Sequence, residues 1–555
     1  MIKLKQLHHL LFIFLIALFF LPSCSNKKKE TNNRIVVALQ SDAESLNPLF
    51  AFSFQEVNIT ELLYPGLVQH EWNGTNGTVE SSPMVAKSWN WNNDSTSITI
   101  NIRDDISWRD GVKLTAEDVI FSFDAYSDPD IQSRLFGTFN HFILEKNQHI
   151  DLVKSFSSDN PYLLKINFRE DTHPGLFDID VPIIPKHIFS KLDRKNFATL
   201  EKGIDSVTSG AFYLYKWNHG ESIILKADEK SFLHKPGMVN ELIFKVIPDY
   251  NSRITQLKNG EIDLMDNVKP DQLAELKAAG KFTIIPVKGR EYDYTGWNNI
   301  DPVSYINKKI KPNDLFGTVE VRKALTYAIN REEILSEFLG NNGDIAVGPV
   351  AHIFKDAYNY DLKPMEYNPA KAKQMLASAG WRDDNKDGIL EKNGKDFSFT
   401  LNYAGGSPRR EFAATVIKNN LKSIGIDVKT EPLEQGVFLE KMFTHKLNAW
   451  LGGWSVPIPL DLKPYWHSDV LLAPLNITSY KNIRADEILD KIEKTKSEAD
   501  KNKLYRELQN ILAEDCPVTF LYWIDNIIAY NQRIQNIRIT PLGPINRCWE
   551  WSVKN

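Results

Sequence analysis

Apolar and polar residues alternate along two separate parts of the chain. Isoleucines at 98, 100 and 102 alternate with polar residues, and the apolar residues within 397–403 do the same. A period of two is typical of a strand with one face in a core. A short apolar run at 35–39 predicts a further buried strand, which ends at the turn of residues 45–48. These patterns predict three strands, at 35–39, 98–102 and 397–403.

Helix start and stop signals follow these strands. Thr115 and Asp118 resemble a capping box that opens an apolar helix over 119–126. Asn368 is placed to begin another helix, with a proline at its first position, and Gly380 to end it. The order of strand, turn and helix predicts the α/β class.

Longer helical stretches and one more strand complete the pattern. The helical stretches cover 319–339, 409–424 and 485–514, the last broken near 498–501, and the strand covers 426–430. The strand at 397–403, the helix after it and this strand form one strand, helix, strand unit, which indicates an α/β layer.

The chain is too long for one core. Its 555 residues exceed the roughly 250 to 300 at which a single hydrophobic core stops growing, so at least two lobes are expected. Hydrophobic residues make up 42% and aromatic residues 11%, which excludes a disordered chain. The net charge is −5 with no long basic stripe, so nucleic-acid binding is not favoured.

The N-terminus predicts export. Residues 1–23 carry lysines and then an apolar run that ends before a small residue, as in a secretory signal peptide. The run is shorter than the roughly 20 residues of a membrane-spanning helix, the alternative reading. Residues 21–24 resemble a bacterial lipobox, which implies lipidation at Cys24. Residues 24–33 are polar and charged, as in a flexible tether.

The few cysteines of the chain say little about how the fold is stabilised. Besides Cys24 the chain has only Cys516 and Cys548, so disulfides are not the main source of stability even in an oxidising compartment. Spacing alone does not decide whether these two thiols pair.

Motifs of common enzymes are missing from the sequence. It contains neither G-x-S-x-G nor H-E-x-x-H, and the glycines at 388 and 394 are spaced wrongly for a phosphate loop. A glycoside hydrolase needs only two carboxylates that can lie far apart in sequence, so a secreted hydrolase stays open as an alternative. No cofactor is expected.

One stretch is similar to a calcium loop. Asp383, Asn385 and Asp387 occupy ligand positions one, three and five, and a glycine follows at position six. Position twelve is Gly394 where a calcium loop has a bidentate glutamate. The stretch is therefore a weak metal candidate, and an ordinary Asp/Asn/Gly turn is the alternative.

Two clusters of aromatic residues stand beside small or polar residues. Residues 450–454 place two tryptophans around a pair of glycines, and residues 292–298 alternate rings with polar groups. Trp454 and Trp297 are candidates for the apolar walls of a ligand groove. Burial in the core is the alternative for each ring.

Four segments resemble extracellular solute-binding protein family 5, the peptide-, dipeptide- and nickel-binding receptors of ABC importers. They are residues 45–49 with 63–67, 102–123, 260–264 and 321–330. The resemblance implies an α/β, two-lobed periplasmic-binding-protein-like fold of the class II or cluster C type, with an extra subdomain in the first lobe.

It also implies a domain division. The first lobe would comprise 34–290, with the extra subdomain at about 70–205, and would be completed by 516–555; the second would comprise 291–515. Hinge candidates are the chain crossings near 292–296 and 516–522. A hinge lets the lobes close on a ligand that touches both of them.

The implied function is binding, not catalysis. We expect a monomeric, lipid-anchored, extracytoplasmic receptor that encloses a peptide-like solute and delivers it to an ABC permease. Expected ligand contacts are the rings of Trp454 and Trp297 and hydrogen bonds from Asn298, Asn47 and Tyr64. Arg409 is a candidate for a ligand carboxylate, with an exposed arginine at a helix start as the alternative.

One departure from the family pattern concerns the ligand. Peptide-binding members place an aspartate three residues after the Gly-Trp that is here residues 453–454, and that aspartate pairs with the peptide's α-ammonium. Pro457 occupies the position in this chain. A buried ammonium needs a charge partner, so either another carboxylate such as Asp461 replaces it or the ligand is a sugar, a metal chelate or another solute without a free amino terminus.

Overall fold

The computed structural model describes residues 33–197, 207–301, 303–304, 309–469 and 472–554. The predicted signal peptide and Cys24 lie outside these ranges. Among the described residues, no helix combines the length and the apolar character that crossing a bilayer would require.

Strands β1 to β21 span, in chain order, Arg34–Leu39, Val68–Asn73, Thr78–Pro83, Ala86–Trp91, Ser97–Ile102, Phe156–Asn160, Leu163–Asn167, Phe212–Asn218, Ser222–Ala227, Glu241–Val246, Leu264–Met265, Phe282–Trp297, Gly343–Ile345, Glu391–Lys392, Lys395–Asp396, Ser398–Ala404, Asp427–Leu433, Ala449–Ser455, Val518–Asn531, Ile534–Gln535 and Ser552–Val553.

Helices α1 to α14 span, in chain order, Phe54–Leu63, Ala116–Ser127, Leu152–Ser155, Lys186–Phe189, Tyr250–Asn259, Leu273–Ala278, Val319–Ala328, Arg331–Leu339, Pro369–Ser378, Pro408–Lys422, Gln435–Phe443, Lys463–Trp466, Ile483–Lys494 and Glu498–Asp515. Short 3-10 helices span Leu176–Ile179, Pro270–Gln272 and Cys548–Glu550.

An 11-stranded mixed sheet organises the described chain. Its main path runs β17-β16-β18-β12-β19-β11-β1-β10-β9-β8, and β13 pairs with β19. At one end β16 is parallel to β17 and β18, and at the other β1 is parallel to β10 and β11. The long antiparallel pair of β12 and β19 joins the two ends.

Packing divides the molecule into two lobes along this pair of strands. Residues 35–287 and 527–553 build two clusters of buried side chains, which we call the first lobe. Residues 292–524 build two other clusters, which we call the second lobe. The change of lobe coincides with a register shift between Val287 and Glu291. Gly289 fits there because a Cβ would lie 1.6 Å from the Ile524 carbonyl oxygen.

The first lobe carries an extra layer between β1 and β8. A separate four-stranded sheet, in the order β4-β5-β7-β6, packs its inner face on helix α2, and the hairpin of β2 and β3 precedes it. The isoleucines at 98, 100 and 102 are 0%, 0% and 3% exposed, which confirms the predicted alternation. This layer lies within the region expected for the extra subdomain.

The structure confirms the predicted helix start signals. Asp118 Oδ2 accepts a hydrogen bond from Thr115 N at 2.9 Å, as a capping box requires. Asn368 Oδ1 accepts from Lys371 N at 2.9 Å, and α9 begins with the expected proline. Gly380, just beyond α9, adopts a φ of 87°, a conformation that favours glycine after a helix.

Two helix lengths differ from prediction. The stretch 319–339 is two helices, because Asn330 caps a new one by accepting from Glu333 N at 3.2 Å. The break in 485–514 lies at 495–497, just before the predicted 498–501, because Ser497 caps α14 by accepting from Asp500 N. Periodicity alone misses such interruptions because the apolar spacing continues across them.

The two remaining cysteines are free. Cys516 and Cys548 are both buried thiols. Packing therefore stabilises the described residues without a disulfide between them.

Candidate functional site

A cavity of about 970 Å³ lies between the two lobes. This volume is at the upper end of the roughly 300 to 1,000 Å³ of ligand pockets. The first lobe lines it with residues of 72–181 and the second with residues of 354–357 and 458–505. A molecule inside it would touch both lobes. Polar lining residues include His141, His173, Asp178, Asp180, Asp356, Asp461, Lys463, Glu493, Lys496, Glu498, Lys501, Asn502 and Tyr505.

Asp180 is fixed in the first-lobe wall. Its Oδ1 accepts from Val68 N at 3.2 Å, and His70 Nε2 lies 3.1 Å from its Oδ2. Glycine at position 66 makes room for this carboxylate, because a Cβ there would lie 2.0 Å from Asp180 Oδ1. The His70 ring stacks on Phe177 with centroids 3.8 Å apart. Sequence reasoning missed this group, because its members are far apart in the chain.

Asp461 lies in the second-lobe wall of the cavity. Its side chain is exposed toward the cavity, and its Oδ1 accepts from Lys463 N at 3.0 Å. Partial loss of hydration next to the surrounding protein disfavours the charged form of the Asp461 carboxyl, and this raises its pKa. The nearby Lys463 ammonium is already paired with Asp490 at 2.8 Å and with Glu493 at 2.6 Å.

Trp454 lies at the end of β18, beside the cavity segment 458–463. Its half-buried ring meets Tyr465 edge-on with centroids 5.2 Å apart. The two rings border a small pocket together with Tyr292 and Tyr294. This aromatic arrangement is compatible with the predicted apolar wall.

Trp297 and Asn298 lie inside the second lobe. Trp297 is 0% exposed, packs on Phe316 and donates from Nε1 to Thr519 Oγ1 at 3.1 Å. Asn298 is also 0% exposed, and its Nδ2 donates to the Leu447 carbonyl oxygen at 3.4 Å. The structure gives both residues packing roles and does not bring them to the cavity, which corrects their predicted place in its wall.

Asn47 and Tyr64 likewise lie in the core of the first lobe. Asn47 is 2% exposed; its Nδ2 donates to the Phe197 carbonyl oxygen at 2.9 Å and its Oδ1 accepts from Leu49 N at 3.1 Å. Tyr64 is 0% exposed at the end of α1. Asn47 therefore shapes a turn, and neither side chain is positioned to meet a solute in this conformation.

Arg409 belongs to a buried charge cluster. Its Nε donates to Asp293 Oδ2 at 2.8 Å and its Nη2 to Glu291 Oε1 at 2.9 Å. Arg410 and the Tyr522 hydroxyl also donate to Asp293, which is 0% exposed. Burial would lower the pKa of Arg409, but the two carboxylates outweigh it and hold that pKa above its usual value. The guanidinium is thus engaged within the protein.

The hairpin of β2 and β3 touches the second lobe beside the cavity. Lys355 Nζ donates to the Gly74 carbonyl oxygen at 2.5 Å. Gly77, at a φ of 71°, comes so close that a Cβ would lie 1.9 Å from the Ile353 carbonyl oxygen. This contact closes one side of the cavity.

The calcium-loop candidate folds as a compact turn in the second lobe. One oxygen from each of Asp383, Asp387 and Glu391 lies within 4.8 Å of the others. Asn385 Nδ2 donates to Asp387 Oδ2 at 3.0 Å. An Asp/Asn turn makes such bonds without metal, so calcium binding stays a prediction.

Comparison with known proteins identifies the family pattern. Residues 80–469 match the family model described as bacterial extracellular solute-binding proteins, family 5 middle. The oligopeptide-binding protein AppA of Bacillus subtilis is 29% identical over 569 residues, covering 98% of each chain.

Solved structures agree with this match. The structure of AppA from Bacillus subtilis in complex with a nonapeptide has a TM-score of 0.75 at 28% identity, covering 94% of this chain and 99% of that one. NikZ from Campylobacter jejuni in complex with Ni(L-His) has a TM-score of 0.75 at 26% identity, with the same coverage.

Proposed function

The chain belongs to the bacterial extracellular solute-binding proteins of family 5, and we propose that it encloses a peptide-like solute between its lobes and delivers it to the permease of an ABC importer. The observation that carries the proposal is the cavity of about 970 Å³ lined by both lobes. A ligand that touches both lobes stabilises the closed state relative to the open one. Family members are binding proteins, and the cavity is used here for capture without chemical change.

The lobes move about the crossing of β12 and β19. We propose a first lobe of 34–290 completed by the C-terminal segment, and a second lobe of 291–515. The C-terminal segment that completes the first lobe was predicted to begin at residue 516. Packing favours a start at about residue 525, because Val518 to Ile524 pack in the second lobe. The register shift at Val287–Glu291 supports a hinge at this crossing.

Within this site we assign contacts to two residues. Trp454 and its aromatic neighbours supply an apolar wall, and Asp461 supplies a carboxylate that faces the cavity. Aromatic walls with a few polar groups that orient the ligand are typical of small-molecule sites. The similarity to a receptor bound to a nonapeptide supports a peptide-like solute.

Membrane attachment is part of the proposal. Lipidation at Cys24 would hold a monomeric receptor at the outer face of a membrane, with residues 24–33 as the tether. Such tethering raises the receptor's local concentration near a permease. Mass spectrometry of the protein from a lipoprotein-processing host tests this directly: an acylated N-terminal cysteine is expected, and an unmodified chain that keeps residues 1–23 would contradict it.

Two other solute or activity classes remain as alternatives. Pro457 in place of an ammonium partner, and the similarity to a structure holding Ni(L-His), favour a metal chelate as the second candidate. A secreted hydrolase is the third, and release of products from peptide or glycan substrates would establish it in place of a receptor.

The deciding experiment is native mass spectrometry of protein purified without refolding, followed by titration with tetra-alanine and with a nonapeptide. We expect a bound mass that matches a peptide, and a change in tryptophan fluorescence on titration because Trp454 lines the pocket beside the cavity. Trp454→Phe should reduce that change while leaving the melting temperature nearly unaltered. A bound metal chelate, or peptides that never bind, would contradict the peptide assignment.

A further inference from the structure

The turn between β2 and β3 of the first lobe, residues 74–77, lies against the second lobe. Lys355 Nζ, from the second lobe, donates to the Gly74 carbonyl oxygen at 2.5 Å. Just before the turn, the ring of Trp72 meets the ring of Phe354 edge-on, with centroids 6.3 Å apart. Both rings line the cavity. This hairpin therefore makes a polar and an apolar contact with the opposite lobe.

A second hairpin turn of the first lobe repeats the polar contact. It lies between β4 and β5, at residues 92–96. Lys496 Nζ, from the second lobe, donates to the Asp94 carbonyl oxygen at 3.1 Å. Lys496 and the neighbouring Ser95 line the cavity. Lys496 and Lys355 thus fasten the two lobes together at two separate points beside the cavity.

Both bonds join protein to protein. A lysine of one lobe donates to a backbone carbonyl oxygen of the other, and opening about the crossing of β12 and β19 would separate these groups. A contact made only in the closed state stabilises that state relative to the open one. Since no solute atom takes part, this stabilisation is the same for every solute that the cavity accepts.

At Gly77 the backbone of the first turn is too close to the second lobe for a side chain. A Cβ there would lie 1.9 Å from the Ile353 carbonyl oxygen and 2.7 Å from Lys355 N. Its φ of 71° is also a conformation that favours glycine. Gly220, in the turn between β8 and β9, has a similar φ of 74°, but no heavy atom of the described residues lies within 4 Å of a Cβ built there.

We propose that the 74–77 turn with Lys355, together with the 92–96 turn and Lys496, forms a latch that holds the lobes closed independently of the solute. This rests on the proposed function, which it deepens by naming what controls closure. The apparent affinity of a receptor scales with the fraction of it in the binding-competent state. The latch therefore raises the affinity for every solute by one common factor, and it slows release because its contacts must break before the lobes open.

Gly77→Ala tests the latch by steric means, because the added methyl group collides with the second lobe only when the lobes are closed. Gly220→Ala is the matched control, since it places alanine at nearly the same φ without a neighbour. Small-angle X-ray scattering of the full-length protein, with and without tetra-alanine, gives the radius of gyration. We expect a larger radius for Gly77→Ala than for the wild type and the control, and at least tenfold weaker binding by calorimetry.

Lys355→Met and Lys496→Met test the same latch without straining the backbone, so they decide the question even if Gly77→Ala is unstable. Lys363→Met is their control, because Lys363 Nζ donates to the Tyr360 carbonyl oxygen of its own lobe at 3.1 Å. Probes are tetra-alanine, Ala-Lys-Ala-Ala and Ala-Phe-Ala-Ala. We expect each latch variant to weaken all three by the same factor, about threefold to tenfold, mainly through faster release in stopped-flow fluorescence.

The outcomes separate the latch from the receptor function. Unequal losses among the three peptides would show that the lysines contact the solute, which overturns the latch. Equal radii and affinities for Gly77→Ala and Gly220→Ala overturn it too and leave the receptor function standing. If no peptide binds the wild type, the peptide assignment fails, and scattering of the solute-free proteins still decides: a larger radius in Gly77→Ala alone supports the latch, and equal radii overturn it.

Discussion

The crossing strand β12 and helix α1 each hold a carboxylate, and the two differ in their partners. Asp293 on β12 is 0% exposed and is paired with Arg409, Arg410 and the Tyr522 hydroxyl. Glu61 on α1 is exposed, and among the described residues none forms a hydrogen bond or ion pair with its carboxylate. The charge of Asp293 is neutralised by arginines of the same protein, whereas the charge of Glu61 is not paired within the described residues.

The difference separates structural charges from charges available to a ligand. Asp293 joins β12 to helix α10, because both arginines belong to the first turn of that helix. Removing one partner of such a buried cluster leaves the others uncompensated. Among the described residues, Glu61 has no hydrogen bond or ion pair that joins α1 to another element, so its charge holds no elements together. Three carboxylate substitutions break or sharpen this comparison, in order of decreasing effect.

Asp293→Asn should cause the largest change. It leaves Arg410 without its carboxylate and Arg409 with only the exposed Glu291; loss of one partner of a buried pair costs about 3 to 5 kcal/mol. Urea denaturation should show a much lower free energy of unfolding. Glu291→Gln is the control, because the Glu291 side chain is 49% exposed and its pair with Arg409 is worth about 1 kcal/mol or less. Equal losses in the two variants would contradict the assigned role of Asp293.

Asp344→Asn should have a smaller effect that depends on pH. The hydrogen bond from His352, with further support from Lys288, lowers the pKa of Asp344 to about 2. Because this pKa lies below the unfolded value, the stabilisation is present above about pH 4 and is lost as the pH falls toward 2. At pH 7 the variant should be less stable by about 1 to 2 kcal/mol.

The same variant should approach wild-type stability near pH 2. Thermal melts at both pH values check this, with Glu337→Gln as a control that changes neither melt. A constant difference between wild type and Asp344→Asn at all pH values would contradict the electrostatic explanation.

Glu61→Gln should have the smallest effect on stability, with the opposite sign. Its folded pKa of about 7 lies above the usual value of 4.5, so the folded state binds more protons between these values and stability falls as the pH rises through them. Without solute, the variant should therefore be more stable than the wild type at pH 8, by about 0.5 kcal/mol after allowance for solvent screening. The free energies of unfolding of the wild type and the variant, from urea denaturation, should match at pH 4. A variant less stable than the wild type at pH 8 would show that the Glu61 carboxylate supports the fold.

Local patterns were enough to predict much of the fold. The alternation at 98–102, the capping residues Thr115 and Asn368 and the strand, helix, strand unit at 397–430 all appear as expected. These features depend on neighbours within a few residues, which the sequence displays directly. The interruptions before α8 and α14 were misplaced or missed because a cap competes with a periodicity that continues past it.

The residues of the candidate ligand site were harder to predict from the sequence than the fold was. Trp297 and Trp454 stand in similar aromatic contexts in the sequence, yet one is fully buried beside Phe316 and the other is half-buried beside Tyr465. Arg409 was a candidate for a ligand carboxylate or an exposed arginine, because spacing does not reveal its partner Asp293, 116 residues earlier. Asp461 was named only as a carboxylate that could replace the aspartate missing at Pro457, and the structure gives its place in the cavity wall.

The sequence by itself determined the α/β class, the family and the main strands and helices, since these follow from periodicity, capping and contiguous motifs. Only the tertiary structure decided which polar groups have partners, because pairing depends on contacts between residues far apart in the chain. Asp293 and Glu61 are both acidic residues among apolar neighbours in the sequence. The fold brings two arginines to Asp293 and leaves Glu61 exposed, with no hydrogen bond or ion pair to its carboxylate from the described residues.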